Sequence, residues 1–167
     1  MLLDHSISKP ASVQGYDVHR MVSGLTKDEK TLFADLGERI LIRCESPITS
    51  DGAPLRHVDR GDVIGFELRA CVSKKNNGKH VYFPEADWRR RHEWLRQKGT
   101  KHGFSPLTLH CKASRAKLDN GRGNIFTVDQ TDFVGVLRVT DKELFENVLA
   151  KGIGSTAKTY GFGMLII

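Results

Sequence analysis

Phe133-Val-Gly-Val-Leu-Arg-Val139, followed by Thr140-Asp-Lys-Glu143, Leu144-Phe-Glu-Asn-Val-Leu149, Gly152-Ile-Gly-Ser-Thr-Ala-Lys-Thr-Tyr-Gly-Phe-Gly163 and Met164-Leu-Ile-Ile167, is the run that decides this fold. The first piece alternates, with Phe133, Leu137 and Val139 on one side, which predicts a half-buried strand. Thr140 and Glu143 have the spacing of a capping box that opens a helix. Leu144, Phe145, Val148 and Leu149 give that helix one apolar face, and Gly152 ends it. A glycine-rich loop then feeds a last strand over Gly163–Ile167. Strand, helix and returning strand, joined by short connections, point to helices laid on one face of an antiparallel sheet.

Working back toward the N-terminus, Leu107–Lys112 and Asn124–Asp129 read as strands joined by a basic, Gly-containing turn, 113–123. Pro84 and neighbouring acids open a helix over Glu85–Lys98, and basic residues and Gly99 close it. Asp62–Val72 is a strand by the spacing of Val63, Phe66, Leu68 and Ala70, and Arg39–Cys44 by its Ile-Leu-Ile centre. Tyr16–Leu25 reads as a helix and Leu2–Ser8 as a first strand. The order is β-α-β-β, then α-β-β-β-α-β, an α+β chain for which two ferredoxin-like halves are one economical arrangement. The polar run Lys74–Lys79 is the expected seam, dividing the chain into 1–79 and 80–167.

The net charge of +6 is localised. Residues 84–124 hold ten Lys and Arg against four Asp and Glu, an excess equal to that of the whole chain. A concentrated basic segment suits a polyanion, and equally a solvated surface helix. Three cysteines, Cys44, Cys71 and Cys111, lie far apart without a CxxC pair, which argues against a disulfide scaffold or zinc site and fits a reducing cytoplasm. No apolar run approaches the ~20 residues of a membrane span, and no signal peptide is visible over residues 1–10. No membrane partner is expected.

On the first helix, Val18, Met21, Val22 and Leu25 share the core-facing side, while Tyr16, His19, Arg20 and Ser23 follow the same spacing on the other. That second face suits RNA cleavage, in which a 2′-hydroxyl attacks its own 3′-phosphate. His19 can serve as base or acid near neutral pH. Tyr16 can orient the reacting oxygens, and Arg20 can bind a phosphate. A surface helix with an incidental histidine would show the same spacing. Gly152 and Gly154, with Lys158 beside them, can form a phosphate cradle or simply a tight turn. The loop stops one residue short of a P-loop pattern and follows a helix rather than a strand, so nucleotide hydrolysis is not expected. Lys112, Arg115, Lys117 and Arg122 make a basic ribbon suited to a nucleic-acid backbone, or a solvated hairpin. In the helix that follows Pro84, Trp88 and Leu95 are expected in the core, with Arg89, Arg90, Arg91, Arg96, Lys98 and Lys101 around them. The histidines are scattered, without HExxH or paired carboxylates, so neither a catalytic metal nor a small-molecule cofactor is expected.

Three stretches in register resemble one family. Tyr16-Asp-Val-His19-Arg20 resembles the Tyr-x-x-His-Arg/Gln helix of CasE-type CRISPR endoribonucleases, in the RAMP superfamily of type I-E Cascade. Gly61-Asp-Val-Ile-Gly-Phe-Glu-Leu-Arg-Ala70 resembles that family's Phe-x-Leu-Arg-Ala strand, and the stretch from Phe133 to Gly163 its closing strand, helix and loop. The resemblance implies two ferredoxin-like (RRM-like) halves, metal-independent cleavage of CRISPR repeat RNA on the 3′ side of its stem, and a product with a 2′,3′-cyclic or 3′-phosphate. It implies retention among the other subunits of a CRISPR effector complex. Tyr16 and His19 match the catalytic pair, Arg20 an RNA-contacting position, and the 112–122 ribbon the hairpin that enters the stem's groove. The sequence departs from the family by a shortened N-terminal half, expected to lack a strand or hairpin, and by Ser155-Thr156 in place of a common proline. A non-cleaving RNA-binding subunit on the same scaffold, and an unrelated RNA-associated module, are the other readings.

Overall fold

The computed structural model describes residues 1–154 and 156–167. In chain order the elements are β1 (Leu3–Ser8), α1 (Tyr16–Thr26), β2 (Leu32–Asp35), β3 (Arg39–Cys44), β4 (Ala53–Pro54), β5 (Val63–Ala70), β6 (Lys74–Asn76), β7 (Lys79–Val81), α2 (Trp88–His102), β8 (Phe104–Asp119), β9 (Ile125–Val139), α3 (Lys142–Lys151), a 3₁₀ turn (Lys158–Tyr160) and β10 (Leu165–Ile166). One sheet runs β2-β3-β1-β4 and the other β10-β5-β9-β8, each antiparallel throughout. Both sheets therefore place their strands as fourth, first, third, second, the ferredoxin-like order. The two-halves expectation holds.

The shortening removes a different kind of element from the strand or hairpin expected. All four strand positions of the N-terminal half are filled; the second helix is what is missing. Residues 45–52 join β3 to β4 without one, and β4 keeps two residues. The expected 79/80 seam also shifts, because β5 pairs with β9 and β10. The change of sheet lies between Pro54 and Val63, and Lys74–Lys79 belongs to the small β6–β7 hairpin.

Apolar faces explain most of the packing. Val18 and Val22 of α1 bury against Phe33, Ile40 and Ile42. Leu95 of α2 and Phe145, Val148 and Leu149 of α3 bury against Phe66, Leu68, Phe133 and Leu137. Asp87 caps α2, its carboxylate accepting from the Arg90 N–H at 3.2 Å, so the helix starts later than Pro84 suggested. Asp141 rather than Thr140 caps α3, accepting from the Leu144 N–H at 3.0 Å. Leu32 and Ala34, on the far side of β2 from α1, pack on Met164 and so join the two halves. Arg43 adds a polar tie: it is fully buried, pairs with Asp4 at 2.7 Å, and donates to the Leu149 and Leu165 carbonyls, both at 2.9 Å.

The basic turn expected at 113–123 is mostly strand. β8 and β9 stay in register out to Asp119 and Ile125, although β5 covers β9 only from Thr131 to Arg138. Beyond that the hairpin is a two-stranded arm. It curls over the glycine-rich loop, with Val128 burying beside Phe162, and Ala116, Leu118, Ala157 and Tyr160 packed around them. Among the described residues no helix is long and apolar enough to cross a membrane.

Candidate functional site

The face of α1 that carries Tyr16, His19 and Arg20 sits where the two halves meet. Burial of Val18 and Val22 turns Tyr16, His19 and Arg20 outward; Leu25, expected in the core, is 47% exposed at the end of the helix. The Tyr16 and His19 rings are 5.3 Å apart between centroids, both half-buried. Arg20 is exposed, with only a loose 3.8 Å approach to Asp17, so its guanidinium is available. Ser23 spends its hydroxyl on the helix itself, donating to the His19 carbonyl at 2.9 Å.

The C-terminal half supplies the surroundings. The tip of the β8–β9 arm lies on Tyr16, and a Cβ at Gly121 would stand 2.4 Å from the phenol ring. Tyr160 sits 6.4 Å from Tyr16 and 5.8 Å from Phe126, and its hydroxyl donates to the Asp119 carbonyl at 2.7 Å. Burial, with Asp119 and Tyr16 nearby, raises the Tyr160 pKa and keeps it a donor. Thus the glycine-rich loop holds the arm's tip against α1. Lys158 donates to the Lys151 carbonyl at 2.6 Å, and burial lowers its pKa. Two depressions meet at His19: a shallow cleft shared with Tyr16, Arg20 and Lys27, and a cavity of about 470 Å³ shared with Lys30, Lys151 and Lys158. An imidazole beside a phenol, with five cations around it against Asp28 and Glu29, can move protons next to an anion.

Tyr16, His19, Arg20 and Lys158 are thus brought together, and Lys117 and Arg122 are exposed along the arm that reaches them. Three expected binding residues stand differently. Arg115 is committed internally: it pairs with buried Asp129, donates to the Phe83 carbonyl at 2.7 Å and lies over Tyr82. The same Asp129 pairs at 2.8 Å with Arg91, which is fully buried and so leaves the basic surface of α2. Lys112 lines a separate groove with Lys9, Arg69 and Asp132. Gly152 is buried, and a Cβ there would stand 2.7 Å from the Gly163 carbonyl oxygen and 2.9 Å from Leu32, so close packing explains that glycine. Gly154 faces open space, and Ser155 lies outside the described residues. Trp88, expected in the core, is 53% exposed at the start of α2, while Trp94 stacks on Phe133. Among the described residues no three His, Cys, Asp or Glu gather as a metal-ligand set.

Tyr160, Lys27, Lys30 and Lys151 escaped the sequence reading. Tyr160 had a signal, being the aromatic inside the glycine-rich loop. The lysines had none, since they come from the α1–β2 connection and the end of α3, far apart in sequence.

The sequence model of the family described as "CRISPR associated protein" matches residues 21–167. Among solved structures, the chain is similar to Cse3 of Thermus thermophilus bound to an RNA representing a pre-cleavage complex, at 19% identity over 98% of this chain and 97% of that one, TM-score 0.81. It is similar to the CRISPR-associated protein Cas6e of Escherichia coli K-12, at 20% identity over 99% and 97%, TM-score 0.75. A chain of E. coli Cascade bound to a PAM-containing double-stranded DNA target matches at 19% identity over 99% and 96%, TM-score 0.64. No match is found among curated protein sequences.

Proposed function

The chain belongs to the CRISPR associated protein family, and from that premise we propose that it is an endoribonuclease that cuts precursor CRISPR RNA beside the stem of its repeat. The observation that carries this reading is the pairing of Tyr16 with His19 at 5.3 Å on the open face of α1, between the arm's tip and Lys158. Relatives of the same fold that are bound to RNA, or assembled in Cascade, support it.

In the proposed reaction the 2′-hydroxyl of the nucleotide before the cut attacks the adjacent phosphorus. The P–O5′ bond breaks, leaving a 2′,3′-cyclic phosphate on one product and a 5′-hydroxyl on the other. One proton leaves the 2′-oxygen and one reaches the 5′-oxygen; His19 handles one of these transfers. The nucleophile belongs to the substrate, so no step calls on a metal. Tyr16 orients the reacting oxygens, and the charges of Arg20 and Lys158 offset the negative charge that grows on the phosphorane. Exposed Lys117 and Arg122 hold the stem, and the product stem stays bound as the protein joins its effector complex.

The test is cleavage of a repeat hairpin RNA in EDTA, all-ribose against a single 2′-deoxy substitution at the cut. Cutting in EDTA that the deoxy substitution abolishes is the expected result, with a loss of roughly 10²- to 10⁴-fold in His19→Ala while binding persists. Binding without cutting of any cognate repeat would make the chain a non-cleaving RNA-binding subunit.

A further inference from the structure

The two depressions at His19 are lined by different elements. Tyr16, against which the arm's tip lies, borders the first, on the side given above to the stem. The second also touches His19 and is walled by Lys30 from the loop before β2, Lys151 from the end of α3 and Lys158 from the 3₁₀ turn, with Leu32 and Ala150 as apolar lining. Among the described residues the one acid that reaches it is Glu29, and none of the three lysines forms an ion pair. Lys158 has a carbonyl for its partner, so its charge remains uncompensated in a partly buried wall. The cations continue onto the end of α2 through Lys98 and Lys101, which lie near His102. Burial lowers the His102 pKa, and the charges of Lys98, Lys158 and Lys101 lower it further, which marks how closely these groups gather. A volume of about 470 Å³ is in the range that accepts a small-molecule-sized group such as one nucleotide.

We propose that the cavity walled by Lys30, Lys151 and Lys158 binds the phosphates of the single-stranded RNA immediately 3′ of the cut, and that the end of α2 extends this track. The inference rests on the nuclease reading, in which the stem lies on the arm side of His19. A strand whose scissile phosphate sits at His19 runs on past that residue, and the lysine cavity adjoins it there. The track also gives the two products different fates. Cutting severs the downstream strand from the stem, leaving it held by a few exposed, salt-sensitive contacts, so it departs while the stem stays.

The experiment measures affinity, with RNAs made uncleavable by a 2′-deoxy nucleotide at the cut. One hairpin ends a nucleotide past the cut, a second carries a short uridine tail on that 3′ side, and a third carries the same tail on the 5′ side. The 3′ tail is expected to tighten binding, and two phosphates at ~0.7 each in log–log salt slope make that gain fall about sevenfold when salt rises fourfold. Lys30→Gln combined with Lys151→Gln, both at exposed positions, should erase most of the gain. No gain from the 3′ tail, an equal gain from the 5′ tail, or an undiminished gain in the double variant would overturn the track. All-ribose versions run in parallel separate this from the nuclease reading: normal cutting without a tail effect removes the track alone, and a tail effect without cutting removes the nuclease alone.

Discussion

Gly121 shows how one missing methyl group shapes the site. Its φ of 75° suits glycine, and so does the 82° of Gly123 in the same tip. Only Gly121 has the Tyr16 ring against it; nothing lies within 4 Å of a Cβ at Gly123. Both Gly121→Ala and Gly123→Ala strain the turn, and only the first also displaces the phenol. Single-turnover cleavage of a repeat hairpin is therefore expected to fall further in Gly121→Ala than in Gly123→Ala, with hairpin affinity similar in the two. Equal rates would mean that the tip does not position Tyr16.

At the scale of elements, the β8–β9 arm divides its basic residues between two tasks. Lys117 and Arg122 face solvent, whereas Arg115 joins Arg91, Asp129 and Thr131 in a buried network that fixes the arm's root. Lys117→Gln and Arg122→Gln should each reduce the log–log salt slope of RNA binding by about 0.7 to 0.9 if each contacts one phosphate. Arg115→Gln should leave the slope alone and lower the melting temperature. Asp129→Ala strips a fully buried arginine of its counter-charge, a loss of about 3–5 kcal/mol measurable by denaturant titration. Tyr82, in contact with Arg115 and Cys71, has its pKa pushed up to about 12, by burial first and Cys71 second, so it stays a neutral packing partner of this root.

Across the whole molecule, stability depends on the join between halves and on half-buried imidazoles. Arg43 carries the N-terminal sheet's charge into the C-terminal half, satisfying carbonyls at the end of α3 and in β10. Its loss in Arg43→Met should weaken both halves together, seen as one cooperative transition at lower denaturant. His92 and His102 are each held below the ordinary 6.5, by burial first and neighbouring cations second. As pH falls through 6.5 the unfolded chain takes up these protons before the folded one does, so stability declines until the folded imidazoles are protonated too. Melting temperature should drop between neutral and mildly acidic pH, and the double variant His92→Gln with His102→Gln should show a shallower drop.

The sequence alone determined the elements whose periodicity faces a single partner: α1, α3, β3 and β5 all emerge close to where their residues placed them. It also placed Tyr16, His19 and Arg20 on one helix face, because three- and four-residue spacing is a local property of a helix. It could not reveal β2, whose Leu32, Phe33 and Ala34 are buried on both sides and so show no alternation. Nor could it show that 113–119 is strand, since an arm open to solvent accepts the charged residues that usually mark a turn. Only the tertiary structure decided which cations are free. Arg91 and Arg115 look like Arg122 in sequence, but Asp129 lies 38 residues from the first and 14 from the second, and that pairing exists only once the hairpin closes over α2. The lysine cavity beside His19 has the same origin: Lys30, Lys151 and Lys158 become neighbours because the last strand of the C-terminal half packs on β2.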